Sequence, residues 1–477
     1  MCLLLPAVFA ASVAAAPQDP AARSKEAADL MAAGRFEEAA GIYRELTAAL
    51  PQDAGLKMNL GMALQQAGRP RDAIQPLTEA TTADPSLTQA WLFLGAAHLE
   101  LGEAARAVAA LARAVQAAPD NPQARRLLAD ALMEANRPDA ALVHYLRLTR
   151  LEPASAGGWY GLARSAESHA EDLFDILVQL PGARAAVELV GADVMAASGR
   201  TDTALEAVRA AVEAEPTWRT AHEALAELLD ALGRGEEAAT ARARAEALPL
   251  DCQAEPAACA YREQRLGEVL RLTDPPEARR NPHALFWRLK VLDHVAGDAF
   301  ERLDALPPSV EKHLAVGARH MREKKYQEAA DAYRAALALK PDDLTIKVDL
   351  AFALMSLRAH DEVVELLGPA ARAGTLPPRG LFAYGDALVA LQRVEEALPA
   401  LRKAVQDAPD QPVAHASLGR ALVMAGKFEE AVPHLEAARG TDTDGSIHYQ
   451  LAQAYLRVGR GDDARIALEE YRKRSQR

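Results

Sequence analysis

The chain has 477 residues, with 54 Lys+Arg against 67 Asp+Glu and a formal net charge of −13. That acidic surplus argues against nucleic acid or an anionic membrane as the main partner, since both demand a basic surface. Hydrophobic residues make up 50% of the chain but aromatics only 5%, so the apolar content is mostly Ala and Leu, which suits closely packed helices and predicts no strands.

The chain opens on an apolar run from Cys2 to Ala16, followed by small and polar residues. Residues 1–16 are expected to form a secretory signal peptide, cut after Ala14 or Ala15 because Pro17 directly behind the cut would hinder it. No Lys or Arg precedes the run, so either the true start lies upstream or the signal is a poor one. As a membrane anchor the run falls short of the ~20 apolar residues that a span needs. Export to the periplasm or medium is the expectation, with the cytoplasm as the alternative if the leader does not function. A polar linker is expected over 17–23.

A first helix pair is expected over about 24–50, with full pairs at 54–84, 88–118 and 122–152. The stretch from Ala90 to Pro119 shows the pattern best: Trp91, Leu94, Gly95 and His98, then Ala107, Leu111 and Ala114, follow the three-to-four spacing of one apolar helix face. A helical hairpin of this size cannot bury that face alone and needs a copy on either side. The copies are present, because Pro51, Pro85, Pro119 and Pro153 each lie 34 residues from the next. Small residues, Gly61, Gly95, Ala129 and Ala163, stand where the two helices of a pair must cross. A fifth pair begins at Trp159, Tyr160 and Gly161, but Pro181 follows Pro153 by only 28 residues, so this copy is expected to be shortened. Normal spacing resumes through Ala204 and Pro216 and closes an N-terminal array over 24–247.

Residues 248–281 are rich in Pro and read as a connector, or as a degenerate helix pair, that divides the array. They contain Cys252 and Cys259, seven residues apart. In an exported protein a lone close pair is read as a disulfide, with no neighbouring His or second Cys pair to complete a zinc site. Two reduced, buried thiols are the better reading if the leader is not a signal. The stretch from Leu285 to Leu306 reads as another pair turning near Gly297, and regular repeats restart at about Val310. Residues 282–477 are thus expected to form a C-terminal array, with Gly317, Ala351, Gly385 and Gly419 at the crossings and a basic, amphipathic last helix as its cap.

On Trp91, Leu94, Gly95, Ala107, Leu111, Ala114 and Pro119, and again on Leu418, Gly419, Leu422, Ala431, Leu435 and Ala438, the chain resembles the tetratricopeptide repeat family. The resemblance covers nearly all of the chain after the leader, with several degenerate copies. It implies an all-α, right-handed superhelical solenoid of antiparallel helix pairs with a concave binding face, and no catalytic activity. The subtype that clamps C-terminal carboxylates is set aside: Lys57 and Asn59 fit it, but Phe93 stands where a second Asn is needed.

No Gly-rich phosphate loop, HExxH or GxSxG occurs, and no cofactor or metal is expected. His313 and His320 fall at packing positions. Acidic pairs such as Glu37 and Glu38, Glu236 and Glu237, and Glu429 and Glu430 recur where second helices start, where carboxylates favour the helix N-terminus. Once the repeats are assigned, no room is left for a catalytic domain. Function is expected on first-helix residues that packing does not use: Gln65, Gln66, Arg126, Asp130, Arg164 and Glu167 in the first array, and Phe352, Met355, Phe382, Asp386 and Arg420 in the second. Such a surface suits an extended or helical peptide segment. The expected role is a non-catalytic scaffold of the cell envelope that binds other proteins, with a polysaccharide-binding or glycan-machinery subunit as the alternative.

Overall fold

A computed structural model describes residues 19–475, and the expected signal peptide lies outside them. The described residues are helices and turns, with no strand among them. They form two compact units that divide between Ala305 and Leu306. Within each unit the motif is an antiparallel pair, for example Thr88–Glu100 with Ala104–Ala117 in the first and Pro378–Ala390 with Val394–Asp407 in the second.

Sequence dictates where each helix of a pair begins and stops. Asp53, Asn121 and Asp343 cap first helices, each accepting from a backbone N–H of the first turn. After Pro20–Ala32, Gly34 turns to φ 74° and lets Arg35 N–H reach back to Leu30 O at 2.9 Å, which ends the helix by closing its last carbonyls. The prolines that end the pairs have a further role. Pro85 and Pro153 carbonyls accept from Trp91 Nε1 at 3.0 Å and Trp159 Nε1 at 2.8 Å, and the Pro119 carbonyl accepts from Arg125 Nε at 3.0 Å. In these three copies the residue six after the proline is a donor that ties the loop to the next helix.

The crossings are as close as the small residues there imply. A Cβ built on Gly95 would lie 2.3 Å from Leu111 Cγ, and one on Gly419 would lie 2.5 Å from Leu435 Cγ. Leu111 and Leu435 are fully buried, so the second helix presses a leucine into the space that glycine leaves open.

Three expectations need correction. The linker over 17–23 is helical from Pro20 onward, because Asp19 accepts from Ala21 N–H at 3.1 Å and Pro20 sits in the first turn, where a missing N–H costs nothing. The shortened fifth copy is a single helix of 24 residues, Ala156–Gln179, with no second helix of its own. The stretch expected to turn near Gly297 is likewise one 24-residue helix, Pro282–Ala305. Its buried stripe of Leu285, Leu289, Leu292, Ala296, Ala299 and Leu303 runs straight past Gly297, and glycine inside a helix costs only about 1 kcal/mol. The two long helices pack on each other, so each supplies the partner the other lacks in sequence. The Pro-rich stretch and the helix after it therefore belong to the first unit, and the division falls after them.

Arg288 fastens this arrangement. It is 5% exposed, and its guanidinium donates to His169 Nε2 at 3.2 Å, Leu270 O at 2.9 Å, Thr273 Oγ1 at 3.3 Å and Asp274 Oδ1 at 3.2 Å. A buried cation is tolerable only with its donors satisfied in this way. Beside it, the Pro-rich stretch forms two seven-residue helices, Pro256–Arg262 and Leu266–Leu272, and Cys252 and Cys259 are disulfide-bonded across the start of the first.

Candidate functional site

In the second unit the first helices of successive pairs touch one another: Leu344–Ser356 meets Pro378–Ala390, which meets Pro412–Met424, which meets Ser446–Arg457. The larger contacts of the second helices are with first helices. The first helices are thus the more closely spaced row and form the inner face. A 34-residue period then sets equivalent residues side by side along that face, as with Phe352, Asp386 and Arg420, each directly after a crossing residue.

The structure brings these residues together in two linked groups. The Phe352 and Phe382 rings lie 6.1 Å apart, and the Arg379 guanidinium sits 4.6 Å from the Phe352 centroid. Arg379 also pairs with Asp349 at 3.3 Å. Burial raises the Asp349 carboxyl above the usual carboxylate range, and Arg379 pulls it back. Further along, Asp386 accepts from Ser417 Oγ at 2.5 Å and from the half-exposed Arg420 guanidinium. Met355 instead packs half-buried against the core below. The surface is a line of alternating charge and aromatic area whose cations remain partly open to solvent.

Sequence reading missed Asp349, Arg379 and Ser417. Each lies three residues before an expected one (Phe352, Phe382 and Arg420), hence on the same helical face. That spacing was the available signal.

In the first unit, Asp130 accepts from the Tyr145 hydroxyl, with the Arg126 and Arg164 cations nearby. Burial raises its carboxyl above the usual range, while Tyr145 and the two arginines oppose the rise. Arg126 is exposed, and Arg164 lies 5.8 Å from the centroid of the Tyr160 ring. Glu167 is half-buried on the same helix, and Gln66 is exposed at the end of Ala54–Gln66. Gln65 departs from expectation. It is only 8% exposed, and its amide donates to Glu100 at 2.9 Å, tying one first helix to the next instead of facing a ligand.

The acidic pairs have structural partners. Glu37 meets Arg69 at 2.6 Å, Glu237 meets Arg234 at 2.7 Å, and Glu430 meets Arg402 at 2.8 Å, linking turns to helices. No helix of the described residues is long and apolar enough to cross a membrane.

Among curated proteins none matches the chain. Of solved structures, the crystal structure of MamA protein is 19% identical over 42% of this chain and 92% of that one, with a TM-score of 0.30. TTC0263, a thermophilic TPR protein of Thermus thermophilus, is 22% identical over 35% and 93%, at 0.30. The APC/C hetero-tetramer Cut9–Hcn1 is 12% identical over 96% and 88%, at 0.33. At these scores the likenesses carry no argument about function. Tetratricopeptide repeat models, by contrast, match residues 24–88 and 58–122, residues 98–164, 320–379 and 388–450, and residues 445–470. These matches span more than half of the sequence and fall in both units, on the same helix pairs that the 34-residue period marks out. The chain belongs to the tetratricopeptide repeat family.

Proposed function

We propose that this protein is an exported scaffold of the cell envelope that holds a peptide segment of a partner protein on the inner face of its second unit. The tetratricopeptide repeat is in general a non-catalytic protein-interaction fold. The observation that carries the finer reading is the line Asp349, Arg379, Phe352, Phe382, Asp386 and Arg420, where aromatic rings and partly open cations alternate along adjacent first helices. Aromatic residues and arginine are the side chains that most often dominate protein interfaces. The Cys252–Cys259 bond supports export, since such bonds persist in oxidising compartments.

The test is crosslinking of the tagged protein in its native cells, read by mass spectrometry, beside an Arg379→Glu/Phe382→Ala variant and a cell fractionation. The reading expects envelope proteins captured by the parent and lost from the variant. Identical capture by both, or a protein found only in the cytoplasm, overturns it.

A further inference from the structure

The first unit holds a cavity of ≈ 490 Å³ between Arg184–Ala197, Arg219–Ala231, Pro256–Arg262 and Pro282–Ala305. Its size is that of pockets that take small ligands or a few side chains. It exists because the chain departs from regular repetition here, with the long helix and the short disulfide-bonded helix supplying walls that a further regular pair would not.

The lining has three parts. One wall is aromatic, with Tyr261 and Phe286 rings 4.8 Å and 5.0 Å from Trp287. A second is apolar, from Leu189, Val208 and Leu228. The third is charged. Asp193 and Lys290 pair at 2.9 Å, and Glu223 binds Arg262 Nη1 at 2.7 Å, so these charges satisfy each other. Several polar groups remain unspent, among them the buried Trp287 Nε1 and Arg262 Nε, which have no hydrogen-bond partner among the described residues. Thr220 is 8% exposed, yet its hydroxyl makes no hydrogen bond to any described residue. Glu227 is exposed, lines the same cavity and forms no ion pair with any described residue.

We infer that this cavity binds a short polypeptide segment carrying a basic residue beside an apolar one. Thr220 and Glu227 lie on one face of Arg219–Ala231, seven residues and so about 10 Å apart along the helix. About three extended residues cover that distance at ~3.3 Å each. The leftover Glu227 carboxylate selects a cation, and the net charge of −13 favours the approach of a basic partner. The aliphatic stem of an arginine or lysine suits the aromatic wall, and the cation gains from the ring faces. The neighbouring apolar side chain fills the wall of Leu189, Val208 and Leu228, while the peptide backbone completes the Thr220 hydroxyl. The inference rests on the scaffold reading only in taking a polypeptide as the ligand; its site is separate.

The probes are fluorescein-labelled peptides of about twelve residues, one repeating Arg-Ser-Leu and one repeating Glu-Ser-Leu, titrated into the intact chain by anisotropy. The expected result is binding of the basic peptide about tenfold or more tighter than the acidic one, weakened about tenfold by Glu227→Lys and a few-fold by Thr220→Val. Glu206→Lys makes the same change in net charge at an exposed position outside the cavity and leaves affinity within about twofold. Equal weakening by Glu227→Lys and Glu206→Lys, equal binding of the two peptides, or no binding of either overturns the site. Binding that survives Glu227→Lys but is lost in Arg379→Glu/Phe382→Ala also overturns it, while leaving the scaffold reading intact. Identical client capture by the parent and by Arg379→Glu/Phe382→Ala, with the Glu227-dependent signal preserved, does the reverse.

Discussion

The packing at the helix crossings predicts that adding one methyl group has opposite effects at two glycines of the first unit. At Gly95 a Cβ would stand 2.3 Å from Leu111 Cγ and 2.8 Å from its Cδ2. Carbon atoms in good contact sit about 3.5–4 Å apart, so the overlap exceeds 1 Å, and Leu111, fully buried, has no exposed rotamer to escape to. Overpacking of this kind costs about 1–3 kcal/mol, while removing glycine from a helix interior returns about 0.5–1 kcal/mol. Gly95→Ala is therefore expected to destabilise its pair by on the order of 1 kcal/mol. It should not unfold it, since Ala129 and Ala351 occupy the same place in other copies. Gly41 lies within Phe36–Ala49 with nothing within 4 Å of an added methyl, so Gly41→Ala keeps the gain alone and stabilises by about 0.5–1 kcal/mol. In a Leu111→Ala background the clash is gone, and Gly95→Ala turns stabilising. Urea unfolding followed by circular dichroism reads the signs, and amide exchange over Thr88–Glu100 and Ala104–Ala117 shows that the effect is local. A Gly95→Ala protein as stable as Gly41→Ala, or one whose response ignores Leu111, refutes the argument.

Reducing the Cys252–Cys259 bond, which closes a loop seven residues long, is expected to cost about 2 kcal/mol and to speed amide exchange in Pro256–Arg262 and Leu266–Leu272 while leaving Val310–Arg322 unchanged. Arg288→Met strands several buried acceptors at once and is expected to cost about 3 kcal/mol or more; Arg288→Lys, lacking the planar fork, recovers only part of it in the same denaturation assay. His169, pushed down to about 4 by burial first and by Arg288 next, binds its proton more weakly folded than unfolded. Its contribution is therefore full above pH ~6.5 and lost as pH falls towards 4, by about 3 kcal/mol in all at 1.36 kcal/mol per pKa unit. His169→Gln should flatten that part of the acid-unfolding curve, and an unchanged curve counts against the assignment.

The helix pairs and their crossings were legible because each is set by local chemistry: a period, a capping residue, a small residue under a leucine. The two long helices were not. Gly297 looks like a turn, yet Pro282–Ala305 runs straight through it, and although Pro181 does close Ala156–Gln179, nothing near it shows that this helix packs on Pro282–Ala305, more than a hundred residues away in sequence. Local pattern carries no information about such a partner. The inner face was half legible for a related reason. One position per repeat located Phe352, Asp386 and Arg420, and the turn before it Phe382, but Asp349, Arg379 and Ser417 needed that neighbouring turn read in every copy. Gln65 was misplaced because its partner, Glu100, lies in the next copy.

Within this chain, what folds the protein and what distinguishes its surfaces stand at adjacent positions. At the crossings only Gly or Ala appears: Gly61, Gly95, Ala129 and Ala163, then Gly317, Ala351, Gly385 and Gly419. The very next residue is Met62, Ala96, Asp130 and Arg164 in the first unit and Ala318, Phe352, Asp386 and Arg420 in the second. A helix turns about 100° per residue, so one position is pinned against the second helix while its neighbour rotates towards the inner face. The first is restricted by volume, because any larger side chain meets a buried Leu or Tyr. The second escapes that limit on volume, and it ranges from methyl to aromatic to either sign of charge. Substitutions at every thirty-fourth residue can therefore change the chemistry of that face without touching the crossing beside it.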